Sequence, residues 1–200
     1  MNLVVMSETE VKRKFERDLA RVKDSIIAAS EHYNIWYIYK NKDYRPKYVN
    51  VMNRYLGFFR ASISAHFTAI LLNLSKSLDR NTNKRTNIYS LLQLVEKHNL
   101  IQPSELREIK SKLNKIRDLF GKVQILRNNY FAHLGAKLDS KESFKHAGIS
   151  PNDLKKLIDL SIEILRSIYY AYDRGDFVFD YGSKEDAYSL LNDLLKMNNS

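Results

Sequence analysis

Residues 103–133 open as Pro103-Ser104-Glu105-Leu106, carry Ile109, Leu113, Ile116 and Phe120, and close as Leu126-Arg127-Asn128-Asn129-Tyr130-Phe131-Ala132-His133. A proline suits the first turn of a helix, where its missing N–H would lack a partner anyway. Apolar residues recurring every three or four positions line one helical face. The spacing therefore predicts a helix from Pro103 that buries this stripe and delivers the polar closing segment, with Gly121 the position for any break.

The same periodicity extends through most of the chain. Ser7 and Glu10 form a capping-box pattern ahead of Val11, Phe15, Leu19, Val22 and Ile26, which predicts a helix to about residue 31. An aromatic and basic run follows from Tyr33 to Tyr48, with Pro46 as a boundary. A long apolar helix is expected over 48–79, then a polar loop, Asp79-Arg80-Asn81-Thr82-Asn83-Lys84-Arg85, and a short helix over 88–98. Beyond the motif, Leu134 to Ile149 reads as a loop between Gly135 and Gly148. Ser150-Pro151-Asn152-Asp153 caps a helix bearing Leu154, Leu157, Ile158, Ile162, Leu165 and Ile168. Residues 176–181 alternate like a short strand without an obvious partner, and Ser183 starts a last helix with Leu190, Leu191, Leu194 and Leu195.

Composition bounds what such a chain does. At 200 residues, 44% of them hydrophobic, one well-packed core is expected over 1–200, with no linker dividing it. The absence of cysteine excludes disulfides and thiolate zinc sites. Histidines at 32, 66, 98, 133 and 146 include no pair at metal-ligand spacing, so neither metal nor cofactor is expected. The first residues lack a signal-peptide pattern and no run of about 18 apolar residues occurs, so the expectation is a soluble cytoplasmic protein without membrane contact. The net charge of +10 is uneven: residues 1–133 carry 24 basic against 12 acidic side chains, residues 134–200 carry 9 against 11. A field of that sign attracts a polyanion, although lysine-rich helical surfaces are also common without function.

Arg127 and His133 are the chemistry-bearing pair. Cutting RNA without a metal requires a group titrating near neutrality to move protons, which histidine provides. It also requires a permanent cation at the phosphate, which arginine provides through a planar fork of donors. Asn128 is placed to orient either. A second arginine–histidine pair at the same spacing, Arg60 and His66, leads straight into the apolar run Phe67 to Leu72 and reads as structural. His146 reads as a surface histidine. Weak candidates for RNA contact are Arg80, Lys84, Arg85 and Lys122. The aromatic run 33–48 has the residue types that grip single-stranded RNA, but tyrosines at helical spacing more often pack a core.

The stretch 126–133 resembles the signature of the HEPN superfamily, in which an arginine, a polar residue, a few intervening residues and Ala-His recur. Leu74-Ser75-Lys76-Ser77-Leu78-Asp79-Arg80, followed by a loop and Ser90-Leu91-Leu92-Gln93-Leu94, resembles its abortive-infection U-type branch. The resemblance spans about residues 50–175 and rests on Arg127, Asn128, Ala132 and His133. It implies an all-α helical bundle, here with a core over about 48–175, an N-terminal helix and an extra C-terminal helix packed on it. It also implies a metal-independent ribonuclease of a toxin–antitoxin or phage-defence system. Gly135 departs from the pattern of members controlled through a tyrosine two residues after the histidine, which puts that form of antitoxin control in doubt.

On a straight helix, six positions separate Arg127 and His133 by about 120° of azimuth and about 9 Å of rise. They meet only if the helix breaks, if the arginine reaches across, or if a second subunit completes the pair. Two histidines also make proton removal and donation easier, so a homodimer with the site at its interface is expected. Three classes of function remain: an endoribonuclease acting through 2'-hydroxyl attack, a non-catalytic HEPN-like module working through a protein or nucleic-acid partner such as an antitoxin, and a nucleic-acid binder without catalysis.

Overall fold

Ser7 opens the first helix as expected: its hydroxyl receives the Glu10 N–H at 3.3 Å, and its own N–H donates to the Glu10 carboxylate at 2.7 Å. In the computed structural model, which describes residues 7–80, 86–132, 140–179 and 182–199, this helix, α1, runs over Glu8–Lys40. It continues well past residue 31 because the first part of the aromatic run, Tyr33 to Lys40, forms its last turns. Tyr33, Trp36 and Tyr39 are each 3% exposed, and the Tyr33 hydroxyl donates to the Pro151 carbonyl at 3.0 Å. These rings are core, which disposes of them as a base-stacking surface.

The apolar segment after Pro46 is two helices, α2 (Arg45–Arg54) and α3 (Leu56–Leu78), bent by 118° at Tyr55 rather than continuous. The bend turns Met52 and Phe59 into a small core with Ile38, Tyr39, Tyr48 and Leu191, which a straight helix would splay apart. Helix α4 (Ile88–His98) is capped by Asn87, whose side-chain amide also donates to the Asp79 carbonyl at 2.9 Å and ties α4 to the end of α3. The stripe from Pro103 forms α5 (Pro103–Lys115) and α6 (Arg117–Ala132). The break falls at Ile116, not Gly121, and Leu106, Ile109, Leu113, Ile116 and Phe120 are all buried across it.

The loop expected over 134–149 contains a helix instead, α7 (Ser140–Ala147). Phe144 stacks against Trp36 and Phe67, with centroids 6.0 and 5.5 Å away, and so docks α7 on the core. Helix α8 (Pro151–Asp173) starts at a Ser150–Asp153 capping box and presents its predicted stripe inward, with Ile164 fully buried and Ile162 only half-buried. Residues 174–179 form no strand; Phe177 instead packs on Tyr169 at 4.2 Å. Helix α9 (Ser183–Asn199) lies on α1 and α2, so the tail covers the second core.

α1 is the axis of the assembly and packs against α3, α4, α8 and α9. Between α1 and α3, Ile70, Leu71 and Leu74 are fully buried. Among the described residues the fold is all-α, and no single helix is long and apolar enough to cross a membrane.

Candidate active site

Leu126 is fully buried and anchors α6, so the next residue emerges at the edge of the packed face. There Arg127 is held from two sides. Its Nε and Nη2 donate to the Asn128 side-chain oxygen at 3.1 and 3.0 Å. Its Nη1 stands 3.6 Å from Oδ2 of Asp79, the residue that caps α3. The guanidinium is therefore fixed by a neighbour on its own helix and by a carboxylate from another. His133 lies outside the described residues, so no distance joins it to Arg127.

The remaining motif side chains are engaged one by one. Asn129 Nδ2 stands 2.9 Å from Nδ1 of His146, an exposed hydrogen bond between α6 and α7. His146 is thus on the surface, as expected, but it touches the motif helix. The Tyr130 hydroxyl shares a hydrogen bond of 3.0 Å with the Ser64 hydroxyl on α3, and its ring meets Phe67 edge-on.

Two of the four weak RNA-contact candidates come together. Arg80 and Lys122 line one cavity of about 470 Å³ between the end of α3, α4 and the start of α6, together with Tyr89, Arg117, Asp79 and Asp118. The Arg80 guanidinium lies 5.8 Å from the Tyr89 ring centroid, a cation–π geometry whose exposed surface suits a stacked base. Asp79 lines this cavity and also pairs with Arg127, which itself is not among the lining residues. Lys84 and Arg85 lie outside the described residues. Tyr89 and Arg117 were missed in the sequence because they come from separate helices, and no local pattern links them.

The second arginine–histidine pair separates into two roles. His66 is half-buried, with its Nδ1 2.8 Å from Nδ1 of His32 on α1. Burial pushes both imidazoles below their ordinary pKa, Glu31 opposing this at His32 and the neighbouring His32 adding to it at His66. Arg60 is exposed and lines a cavity of about 400 Å³ with Lys40 and Arg45. Among the described residues no three histidine or carboxylate side chains stand close enough to hold a metal.

This helical arrangement, with its Arg-Asn segment on α6 beside the end of α3, is that of the HEPN class, and the AbiU2 family of HEPN proteins matches residues 12–191. The chain belongs to that abortive-infection-associated family. No curated protein and no solved structure shows a significant match to it.

Proposed function

We propose that the protein is a metal-independent endoribonuclease of a phage-defence or toxin–antitoxin system. The observation that carries this reading is Arg127: a guanidinium oriented by Asn128 and Asp79, the aspartate also lining a cleft with Arg80, Arg117 and Lys122. A strand drawn along the cleft by these cations brings a phosphate to Arg127. The 2'-oxygen attacks that phosphorus while its proton passes to a base. The bond to the 5'-oxygen then breaks, and that oxygen takes a proton from an acid, leaving a 2',3'-cyclic phosphate. His133 supplies the proton transfers, and Arg127 stabilises the charge gathering on the non-bridging oxygens.

Two histidines would divide the base and acid roles, and a homodimer would supply the second. An apolar surface supports this partner. Leu72 on α3 and Ile125 on α6, two helices that pack together, are 51% and 46% exposed.

A non-catalytic module is the second reading, favoured by the fact that Arg127 already has a carboxylate partner in Asp79. One experiment decides between them: purified protein is incubated with total RNA in EDTA beside Arg127→Ala and His133→Ala variants. Fragments with 2',3'-cyclic phosphate ends from the wild type alone establish the nuclease. Intact RNA from a folded wild type supports the module.

A further inference from the structure

At the 118° bend between α2 and α3, six consecutive residues, 53–58, are exposed, so the turn forms a projecting corner. Its side chains are not those of an ordinary surface turn. Tyr55 and Leu56 are each 42% exposed and Phe58 is 60% exposed, whereas the neighbouring Phe59 is buried in the second core. A single apolar side chain in water needs no explanation, but three within four positions at one corner form a patch of the kind that marks a contact.

Positive charge surrounds the corner. Residues 40–60 hold six basic side chains, Lys40, Lys42, Arg45, Lys47, Arg54 and Arg60, against one acidic, Asp43. Lys40, Arg45 and Arg60 come from three helices and line, together with Leu56 of the corner, a cavity of about 400 Å³ that has no carboxylate in its lining. None of these three cations forms an ion pair among the described residues. Like charges gathered about one point repel one another, and an anionic surface laid against them removes that cost.

These features select among occupants. A twofold contact through the corner would set each cluster of cations against its own copy, which disfavours a second chain. An RNA strand would use the cations and the aromatic rings but would gain nothing by stacking on Leu56. A bilayer surface uses every part. Apolar and aromatic side chains enter the headgroup boundary, while flanking lysines and arginines stay level with the lipid phosphates.

We infer that this corner seats on an anionic lipid bilayer, with Tyr55, Leu56 and Phe58 in the interface and Lys40, Arg45 and Arg60 against headgroup phosphates. Attachment of this kind lies on the membrane, so it needs no spanning helix and no run of about 18 apolar residues. Leu72, the subunit contact proposed above, lies about four turns further along α3, so the two surfaces do not overlap. The inference goes beyond the ribonuclease reading and stands whether or not RNA is cut.

Gly57 has open space where a side chain would begin and the chain has no cysteine, so Gly57→Cys carries a single environment-sensitive dye at the corner. Lys76→Cys, exposed near the far end of α3, carries the control dye. The labelled full chain is titrated with vesicles of equal parts phosphatidylglycerol and phosphatidylcholine, with phosphatidylcholine alone, and with a 2'-O-methyl RNA tetramer. The expected result is a saturable blue shift at position 57 and not at 76 on the anionic vesicles, at least tenfold weaker on phosphatidylcholine alone. In co-sedimentation of unlabelled protein, Phe58→Ser and Arg60→Gln, both at exposed positions and checked for wild-type circular dichroism, should each weaken vesicle binding at least fivefold. Only the arginine variant should also lessen the loss of binding with salt. The proposal is overturned if the anionic vesicles do not bind, if they bind without a shift at position 57, or if Phe58→Ser binds as tightly as wild type. A shift with RNA and not with vesicles assigns the corner to a strand, and a shift that grows with protein concentration alone assigns it to a second copy; either result also overturns it.

Discussion

Arg127 and Asp79 join α6 to the cap of α3 through an ion pair of 3.6 Å in which the arginine is 25% and the aspartate 13% exposed. The pair does two opposed things. It fixes the guanidinium where a phosphate could reach it, and it occupies the charge that the phosphate would use.

Asp79→Asn should therefore loosen the fold and strengthen RNA binding. Losing a half-sheltered pair of this kind costs about 1–2 kcal/mol. That corresponds to a melting temperature lower by about 2–8 °C in a domain of this size. Thermal unfolding and RNA titration of the same variant read both effects; weaker RNA binding would contradict the competition.

Arg127→Lys keeps the charge but not the fork that Asn128 and Asp79 hold. Under the ribonuclease reading, Arg127→Ala should lower the initial rate of cutting in EDTA by about 10²–10³-fold. Lysine should restore little of it, because a point charge on a flexible stem does not reproduce planar two-donor contact.

The cleft cations should appear in the salt dependence of RNA binding. Each phosphate contact to a single strand contributes about 0.7 to the slope of log affinity against log salt. Arg80→Ala and Lys122→Ala should each reduce the slope by about that amount. Unchanged slopes would mean that the strand takes another path.

His32 and His66 make stability sensitive to acid. Their Nδ1 atoms stand 2.8 Å apart, so one must accept while the other donates, and both cannot be charged in that geometry. Burial lowers both pKa values in the folded chain, while in the unfolded chain they titrate near about 6.5. The unfolded state thus binds more protons in this window. The contribution is complete above about pH 6.5 and declines as pH falls through the lowered folded values. Urea midpoints at about pH 5 and about pH 7.5 should differ, and His66→Gln should shrink the difference. An equal difference in the variant would place the acid sensitivity elsewhere.

Leu72→Glu and Ile125→Glu test the subunit contact. Each puts a charge on a side chain that is now apolar and about half exposed, which a monomer tolerates and an apolar interface does not. Light scattering should show a shift from dimer to monomer with the helical signal retained. A wild type that is already monomeric at micromolar concentration would remove the dimeric site.

What the sequence determined by itself is local. The helical class, the capping boxes at Ser7 and Ser150, and the buried stripes of Val11 to Ile26 and Leu106 to Phe120 follow from residues three or four apart, which is the range over which helix geometry acts. The Arg127-Asn128 segment was legible for the same reason. Helix α7 was not: eight residues make a marginal helix alone, and it exists because Phe144 inserts against Trp36 and Phe67. The breaks at Tyr55 and Ile116 likewise answer to packing, since each lets apolar residues on both sides face one core. Only the tertiary structure brought Asp79 to Arg127, His32 to His66, and Lys40, Arg45 and Arg60 to one cavity. Those meetings join residues on different helices, and no spacing along the chain encodes them, because the distance between two helices is set by the side chains packed between them.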